Sequence, residues 1–191
     1  NLEGNFFPDG RRRAVAEVLF VGRLVTGKGL DILISALPKI REIHPVARLT
    51  IVGDGPERPR LKDMASGLGL ASCVDFFGAV EHSDLAAYYR RATLLVLPSL
   101  EEGFGLVVVE ALGCGCPVVA SDLPAVRDLL ADGRAGSLFR TGDSADLKEK
   151  VCELLASERL RHTLAETGRA SVLDRYDWRT IGQRYLSVLL P

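Results

Sequence analysis

The chain has 191 residues, with 47% hydrophobic and 26% charged side chains, an ordinary globular composition that buries a core without disulfides or metal and excludes disordered, collagen-like and low-complexity classes. Its 24 Lys and Arg nearly cancel its 25 Asp and Glu, so no global basic field exists to hold nucleic acid or an anionic membrane.

Residues 1–16 are polar, with Pro8, Gly10 and the run Arg11-Arg12-Arg13, and read as a solvated linker. Glu17–Gly22 reads as a buried strand, and Lys28–Ile43 as a helix with apolar residues at Leu30, Leu33, Ile34, Leu37 and Ile40. Arg48–Gly53 is the next strand, closed by the turn Gly53-Asp54-Gly55-Pro56. A helix through Leu61, Met64 and Leu68 follows and stops at Gly67–Gly69. A third strand covers Val74–Gly78, a helix Asp84–Arg91, and a fourth strand Leu94–Pro98. A glycine loop then opens a helix over Leu106–Leu112. Pro117–Ser121 is a fifth strand, Pro124–Ala131 a short helix and Ser137–Phe139 a short sixth strand. From Asp143 the pattern is helical to the end, with breaks expected near Ser157, Gly168 and Asp177.

Strands alternate with helices, and the strands are continuous apolar runs. That pattern is a parallel sheet covered on both faces: an α/β, Rossmann-like, doubly wound layer of about six strands. Ligands of such sheets sit beyond the carboxyl ends of the strands. Three polar or glycine-rich loops fall there: Gly22–Gly29, Gly53–Pro56 and Ser99–Gly105.

The first loop, Gly22-Arg23-Leu24-Val25-Thr26-Gly27-Lys28-Gly29, almost spells a Walker A loop, but Gly29 stands where the magnesium-holding hydroxyl belongs. A nucleoside triphosphatase is therefore disfavoured. Arg23 and Lys28 are either two exposed cations or the grip on an anion. Cations at a helix start oppose the helix dipole, so an anion partner is the better explanation. In the third loop Gly103-x-Gly105 opens a helix, as in a dinucleotide fingerprint, but the third position is Val108. Asp122 ends the next strand, which keeps a dehydrogenase half arguable. Glu110 lies one helical turn beyond Leu106, inside an apolar run. It needs a polar partner there, and either the hydroxyl pair of a bound nucleotide or a buried Arg such as Arg127 would serve.

The remaining polar chemistry is sparse. His44, His82 and His162 share no metal-ligand spacing, and no Asp-x-Asp occurs. Cys114-Gly-Cys116 lacks a second pair, so it reads as small buried residues. Four cysteines in a chain this long are no disulfide framework and point to a reducing, cytoplasmic compartment. The least polar stretch, Gly103–Ser121, is broken by Glu110 and Pro117 and is no membrane span. The chain opens with no signal-peptide pattern and no Met, and reads as processed or excised.

Taken together, Gly22-Arg23-Leu24…Gly27-Lys28-Gly29, Val52-Gly53-Asp54-Gly55-Pro56, Pro98-Ser99…Glu102-Gly103-Phe104-Gly105-Leu106…Glu110-Ala111 and Gly115-Cys116-Pro117-Val118-Val119 resemble the C-terminal, nucleotide-sugar-binding domain of family 4 glycosyltransferases. These are retaining enzymes of the GT-B fold. Glu102 and Glu110, with seven residues between them, match that family's signature pair. The resemblance implies that Arg23 and Lys28, beside Gly22, grip the donor diphosphate and stabilise the departing charge. Backbone N–H groups at Gly105 and Leu106 would hold phosphate oxygens, and Glu102 with the backbone of Gly103 and Phe104 would meet the donor sugar. Glu110 would accept from ribose hydroxyls, and the base would lie against Ala79–Val80. It also implies a hexosyltransferase-type enzyme that needs no cofactor or metal, because cations and a helix dipole serve in their place. Residues 1–16 would be an interdomain linker and 17–191 the donor domain, with the acceptor held by an absent N-terminal domain and the helix near Asp177–Leu190 packing on that half. This chain alone would then be inactive, and the full-length protein would work in the cytoplasm or at the cytoplasmic face of a membrane. A second class of function stays open: a non-catalytic nucleotide-binding or scaffold domain using the same pocket. Intact Arg23, Lys28, Glu102 and Glu110 favour the donor half of an enzyme.

Overall fold

The computed structural model describes residues 5–9, 13–176, 181–182 and 186. These residues form six strands: β1 (Glu17–Val21), β2 (Arg48–Val52), β3 (Val74–Gly78), β4 (Leu94–Leu97), β5 (Val118–Ser121) and β6 (Ser137–Phe139). A 3-10 turn at Thr26–Lys28 precedes α1 (Leu30–Ile43). Then come α2 (Arg58–Gly67), α3 (His82–Arg91), α4 (Leu106–Gly113), α5 (Pro124–Leu129), α6 (Ser144–Ala156) and α7 (Glu158–Tyr176). The strands pair in the order β3-β2-β1-β4-β5-β6, every pair parallel. This is the doubly wound order expected from alternating elements and right-handed crossovers.

Alternate side chains of β1 serve opposite faces of the sheet, and both sets are apolar. Val18 and Phe20 join a cluster with Leu33, Ile34 and Leu37 of α1, Ile51 of β2 and Val151 of α6. Leu19 and Val21 join the other, with Tyr89 of α3, Val108 and Leu112 of α4 and Val126 of α5. A strand buried on both faces therefore reads as one continuous apolar run. The polar exception is Glu17, buried at the start of β1, where Thr50 donates to it at 3.0 Å and Arg91 at 2.6 Å. Paired and hydrogen-bonded, a buried carboxylate is tolerable.

Three local expectations need correction. The first helix begins at Leu30 rather than Lys28, because Gly29 caps it in a left-handed conformation (φ 61°). Gly168 does not break the last helix: α7 runs through it, and a Cβ there would lie 2.5 Å from Leu112 Cδ2 and 2.9 Å from the Ala135 carbonyl. The glycine marks close packing of α7 on α4. Of the basic run, Arg13 is not a solvated cation. Its guanidinium donates to the carbonyls of Tyr89, Arg90 and Ala92 at the end of α3 (2.7, 2.9 and 3.0 Å) and of Cys114 and Gly115 beyond α4 (3.0 and 2.6 Å). Helix ends carry unsatisfied carbonyls and partial negative charge, so one cation satisfies two of them. Arg11 and Arg12, and most of the expected Asp177–Leu190 helix, lie outside the described residues.

Candidate functional site

The strand order turns at β1 and β4: the chain leaves β1 towards β2 and leaves β4 towards β5, so the loops after β1 and β4 diverge and open a crevice between them. Backbone contacts hold these loops. Leu24 N–H donates to the Asp54 carbonyl (2.9 Å), Glu57 N–H to the Leu24 carbonyl (3.0 Å) and Leu100 N–H to the Gly27 carbonyl (2.9 Å). Glycine makes the close approach possible. A Cβ on Gly29 would lie 2.0 Å from the Pro98 carbonyl oxygen, and one on Gly53 (φ 133°) 1.9 Å from that of Gly22. The Gly53–Pro56 turn is thus a rest on which the β1 loop lies, and Gly29 lets the start of α1 meet the end of β4.

A cleft of about 470 Å³ lies between these loops, lined by Val25, Gly27, Lys28, Glu101, Glu102 and Gly103. Lys28 and Glu102, far apart in sequence, meet there with Nζ to Oε2 at 2.7 Å. Ser99 donates its hydroxyl to the same carboxylate oxygen at 3.3 Å. Arg23 is exposed, and no side-chain partner holds it among the described residues. Gly22 precedes it at the end of β1. Gly103 and Phe104 are exposed and Gly105 is buried just before α4, whose N-terminus has no side-chain cap and no acid in its first turn. Its first N–H groups therefore have no partner on their own helix. Leu106 is exposed on that first turn, and the Phe104 ring lies edge-on to Tyr176 at 5.5 Å.

Glu110 is not in this cleft lining. It is buried (8% exposed) where α4 meets α3. Tyr89 donates its hydroxyl to Oε2 at 2.8 Å, and His82 brings Nε2 within 3.7 Å of Oε1. Burial pushes the Glu110 carboxyl above its ordinary pKa, with the Tyr89 hydrogen bond and His82 pulling back the other way. Burial and the neighbouring Glu110 hold the Tyr89 hydroxyl well above its ordinary value, so it stays a donor. The buried-arginine alternative fails: Arg127 makes a two-pronged pair with Asp122 at 2.8 and 2.6 Å. The same pair engages the Asp122 carboxylate considered for a dinucleotide. Ala79, exposed, and Val80, half-buried, form the link from β3 to α3, two residues before His82.

Ser99, Tyr89 and His82 are the members of the site that sequence reasoning missed. Ser99 stood in the quoted loop without a role. Tyr89 has the spacing of an ordinary core residue, and nothing local distinguishes it. A second depression, of about 610 Å³, lies beyond β5, and its Arg127 and Arg175 are already paired with Asp122 and Asp128. Cys114 and Cys116 are buried as expected, and burial pushes their thiols up to about 12 and about 11, far from the reactive thiolate range. Among the described residues no group of three or more His, Cys, Asp or Glu converges on a metal position, and no helix is long and apolar enough to cross a membrane.

Residues 5–171 match the family described as Glycosyl transferases group 1. A phosphatidyl-myo-inositol mannosyltransferase of Mycobacterium leprae is 39% identical over 181 residues, which cover 94% of this chain and 47% of that protein. HepE of Anabaena, solved in complex with UDP, superposes with a TM-score of 0.83 at 29% identity, over 91% of this chain and 48% of that one. The C-terminal domain of the glycosyl transferase group 1 protein LpcC from Francisella tularensis shares the fold, with a TM-score of 0.83 at 23% identity over 92% of this chain and 97% of that one. The chain spans about half the length of the curated relatives it matches. Sheet order, crevice and family match agree: the chain belongs to the group 1 glycosyltransferases and carries their GT-B-type C-terminal domain.

Proposed function

We propose that this domain binds a nucleoside diphosphate sugar in the crevice beyond β1 and β4, as the donor half of a retaining glycosyltransferase. The observation that carries the reading is the Lys28–Glu102 pair, 2.7 Å apart, in the cleft beside the uncapped start of α4. Without a ligand the ammonium is neutralised by Glu102. A diphosphate entering the crevice takes over Lys28, recruits exposed Arg23, which has no side-chain partner among the described residues, and meets the N–H groups at Gly105 and Leu106. As the bond from the anomeric carbon to the phosphate oxygen breaks, negative charge grows on the diphosphate, where these cations and the helix dipole already point. Glu102, released from Lys28, faces the sugar with the backbone of Gly103 and Phe104. Glu110 receives the ribose hydroxyls, and the base lies on Ala79–Val80. In this reading no divalent ion or other cofactor is needed. The acceptor is held by residues outside this chain, and positioning it accounts for roughly 7–11 kcal/mol of the barrier, so residues 1–191 alone transfer no sugar.

Titration calorimetry with UDP, GDP or ADP, and with inorganic pyrophosphate, tests the reading. Binding of one nucleotide persists in EDTA. Lys28→Ala weakens nucleotide and pyrophosphate alike. Glu110→Gln weakens only the nucleotide, by about 1–3 kcal/mol, the scale of a hydrogen bond to a charged group. Binding that vanishes with the chelator, or a Glu110→Gln loss equal for both ligands, overturns it.

A further inference from the structure

Glu110 is held by a set of residues to which the diphosphate and sugar reading gives no role. Tyr89 is fully buried, and among the described residues its side-chain hydrogen bond is the one it donates to Oε2 of Glu110. His82 lies two helical turns earlier on α3, on the same face, and stands by Oε1. Phe6 is buried against both, its ring centroid 5.3 Å from His82 and 6.0 Å from Tyr89. Arg13 ties the C-terminal ends of α3 and α4 together. The two helices that supply the donor and the acceptor of the Tyr89–Glu110 bond are therefore fastened at one end, and an aromatic ring packs on Tyr89 and His82.

A carboxylate in an apolar helix face is costly unless it is hydrogen-bonded, and a bond to one oxygen leaves the other oxygen to be satisfied. Oε2 is occupied. Among the described residues Oε1 has only the imidazole at 3.7 Å, beyond hydrogen-bond length, and lies on the side of exposed His82, the first residue of α3 after the link from β3. We propose that Tyr89 is a positioning residue of the nucleotide site: by holding Oε2 it turns Oε1 of Glu110 towards the incoming ribose hydroxyls, and Phe6 keeps Tyr89 and His82 in place. This rests on the nucleotide reading above. Among the described residues the titratable groups facing Glu110 are Tyr89 and His82, both from α3.

The test is the pH dependence of nucleotide and pyrophosphate affinity in the wild-type protein and in Tyr89→Phe. The variant binds the nucleoside diphosphate on the order of tenfold more weakly, the effect of one hydrogen bond to a charged group. Pyrophosphate binding is unchanged. As pH falls, protonation of Glu110 weakens nucleotide binding, and without the Tyr89 hydroxyl this begins at higher pH in the variant. In the Glu110→Gln background, Tyr89→Phe adds little further loss. A purely structural tyrosine would lower the melting temperature and affect both ligands together without moving the pH midpoint, and that result overturns the proposal. Should Tyr89→Phe not fold, Phe6→Ala, which keeps the hydroxyl, carries the test: nucleotide affinity falls with pyrophosphate affinity intact, and an equal loss or no loss overturns it. Failure of the nucleotide reading is separate, because the wild type would then bind a nucleoside diphosphate no better than pyrophosphate.

Discussion

Replacing Gly53 by alanine perturbs the contact on which the crevice loops rest. The residue follows β2 with φ at 133°, and a Cβ there lies 1.9 Å from the Gly22 carbonyl oxygen. An ordinary carbon–oxygen contact is about 3.3 Å, so the two chains must part by more than an ångström. They must do so where Gly22 N–H is bonded to the Val52 carbonyl (3.0 Å) and Gly53 N–H to the Gly78 carbonyl (2.7 Å). Placing a side chain in that backbone region costs about 1–3 kcal/mol, and weakening one or two backbone hydrogen bonds adds about 1 kcal/mol each. The sum is about 2–5 kcal/mol. In a domain of this size each kcal/mol moves the melting temperature roughly 2–4 °C, so Gly53→Ala melts roughly 4–20 °C below the wild type. Gly67→Ala is the matched control. Gly67 ends α2 with nothing within 4 Å of its Cβ position, and alanine there gains up to about 1 kcal/mol of helix propensity. Circular dichroism melts and urea titrations of both variants decide. Gly53→Ala within about 0.5 kcal/mol of the wild type, the range of inert surface changes, refutes the close-approach argument, as does an equal loss in Gly67→Ala.

Two further outcomes follow from the network around α3 and α4. Arg13→Ala leaves five carbonyls at two helix ends without their cation and lowers unfolding stability by about 2–4 kcal/mol in urea titration. Arg13→Lys recovers only part of it, since an ammonium has no fork to span both ends, and full recovery argues against the staple. The Glu110 carboxyl has a folded-state pKa above its unfolded value of 4.5. Between those values the folded protein holds the proton more tightly, so this group's contribution to stability falls as pH rises through that window. Glu110→Gln, which keeps an acceptor for Tyr89 but has no charge to bury, gains on the wild type as pH climbs from 4.5 and then levels off. Melting temperatures of the pair across pH measure this, and a flat or falling difference contradicts the burial of a charged Glu110.

Much of the fold was legible because its signals are local. Apolar runs such as Val18–Val21 and Leu94–Leu97, spaced by helical periodicity and closed by Gly or Pro, set strand and helix order, and right-handed crossovers leave few ways to arrange them. The crevice was legible for the same reason, since Lys28, Glu102 and the glycines of the loops all stand at strand ends. Gly168 misled because a glycine in sequence does not say whether it stops a helix or admits a neighbour, and here it admits Leu112.

Composition, periodicity and loop position by themselves determined a parallel sheet covered on both faces, a cleft beyond its carboxyl edge, and charged residues that line it. Tertiary structure alone decided what those residues touch. Lys28 meets Glu102, Glu110 takes Tyr89 rather than Arg127, and Arg13 leaves the solvent to close two helices. Each of these contacts joins segments far apart in the chain: Lys28–Glu102 and Tyr89–Glu110 join side chains from different crossovers of the sheet, and Arg13, ahead of β1, reaches backbone carbonyls at the ends of two helices. Sequence periodicity reports which face of an element is buried, but a polar partner depends on how two elements approach to within 3 Å, and no local pattern encodes that distance.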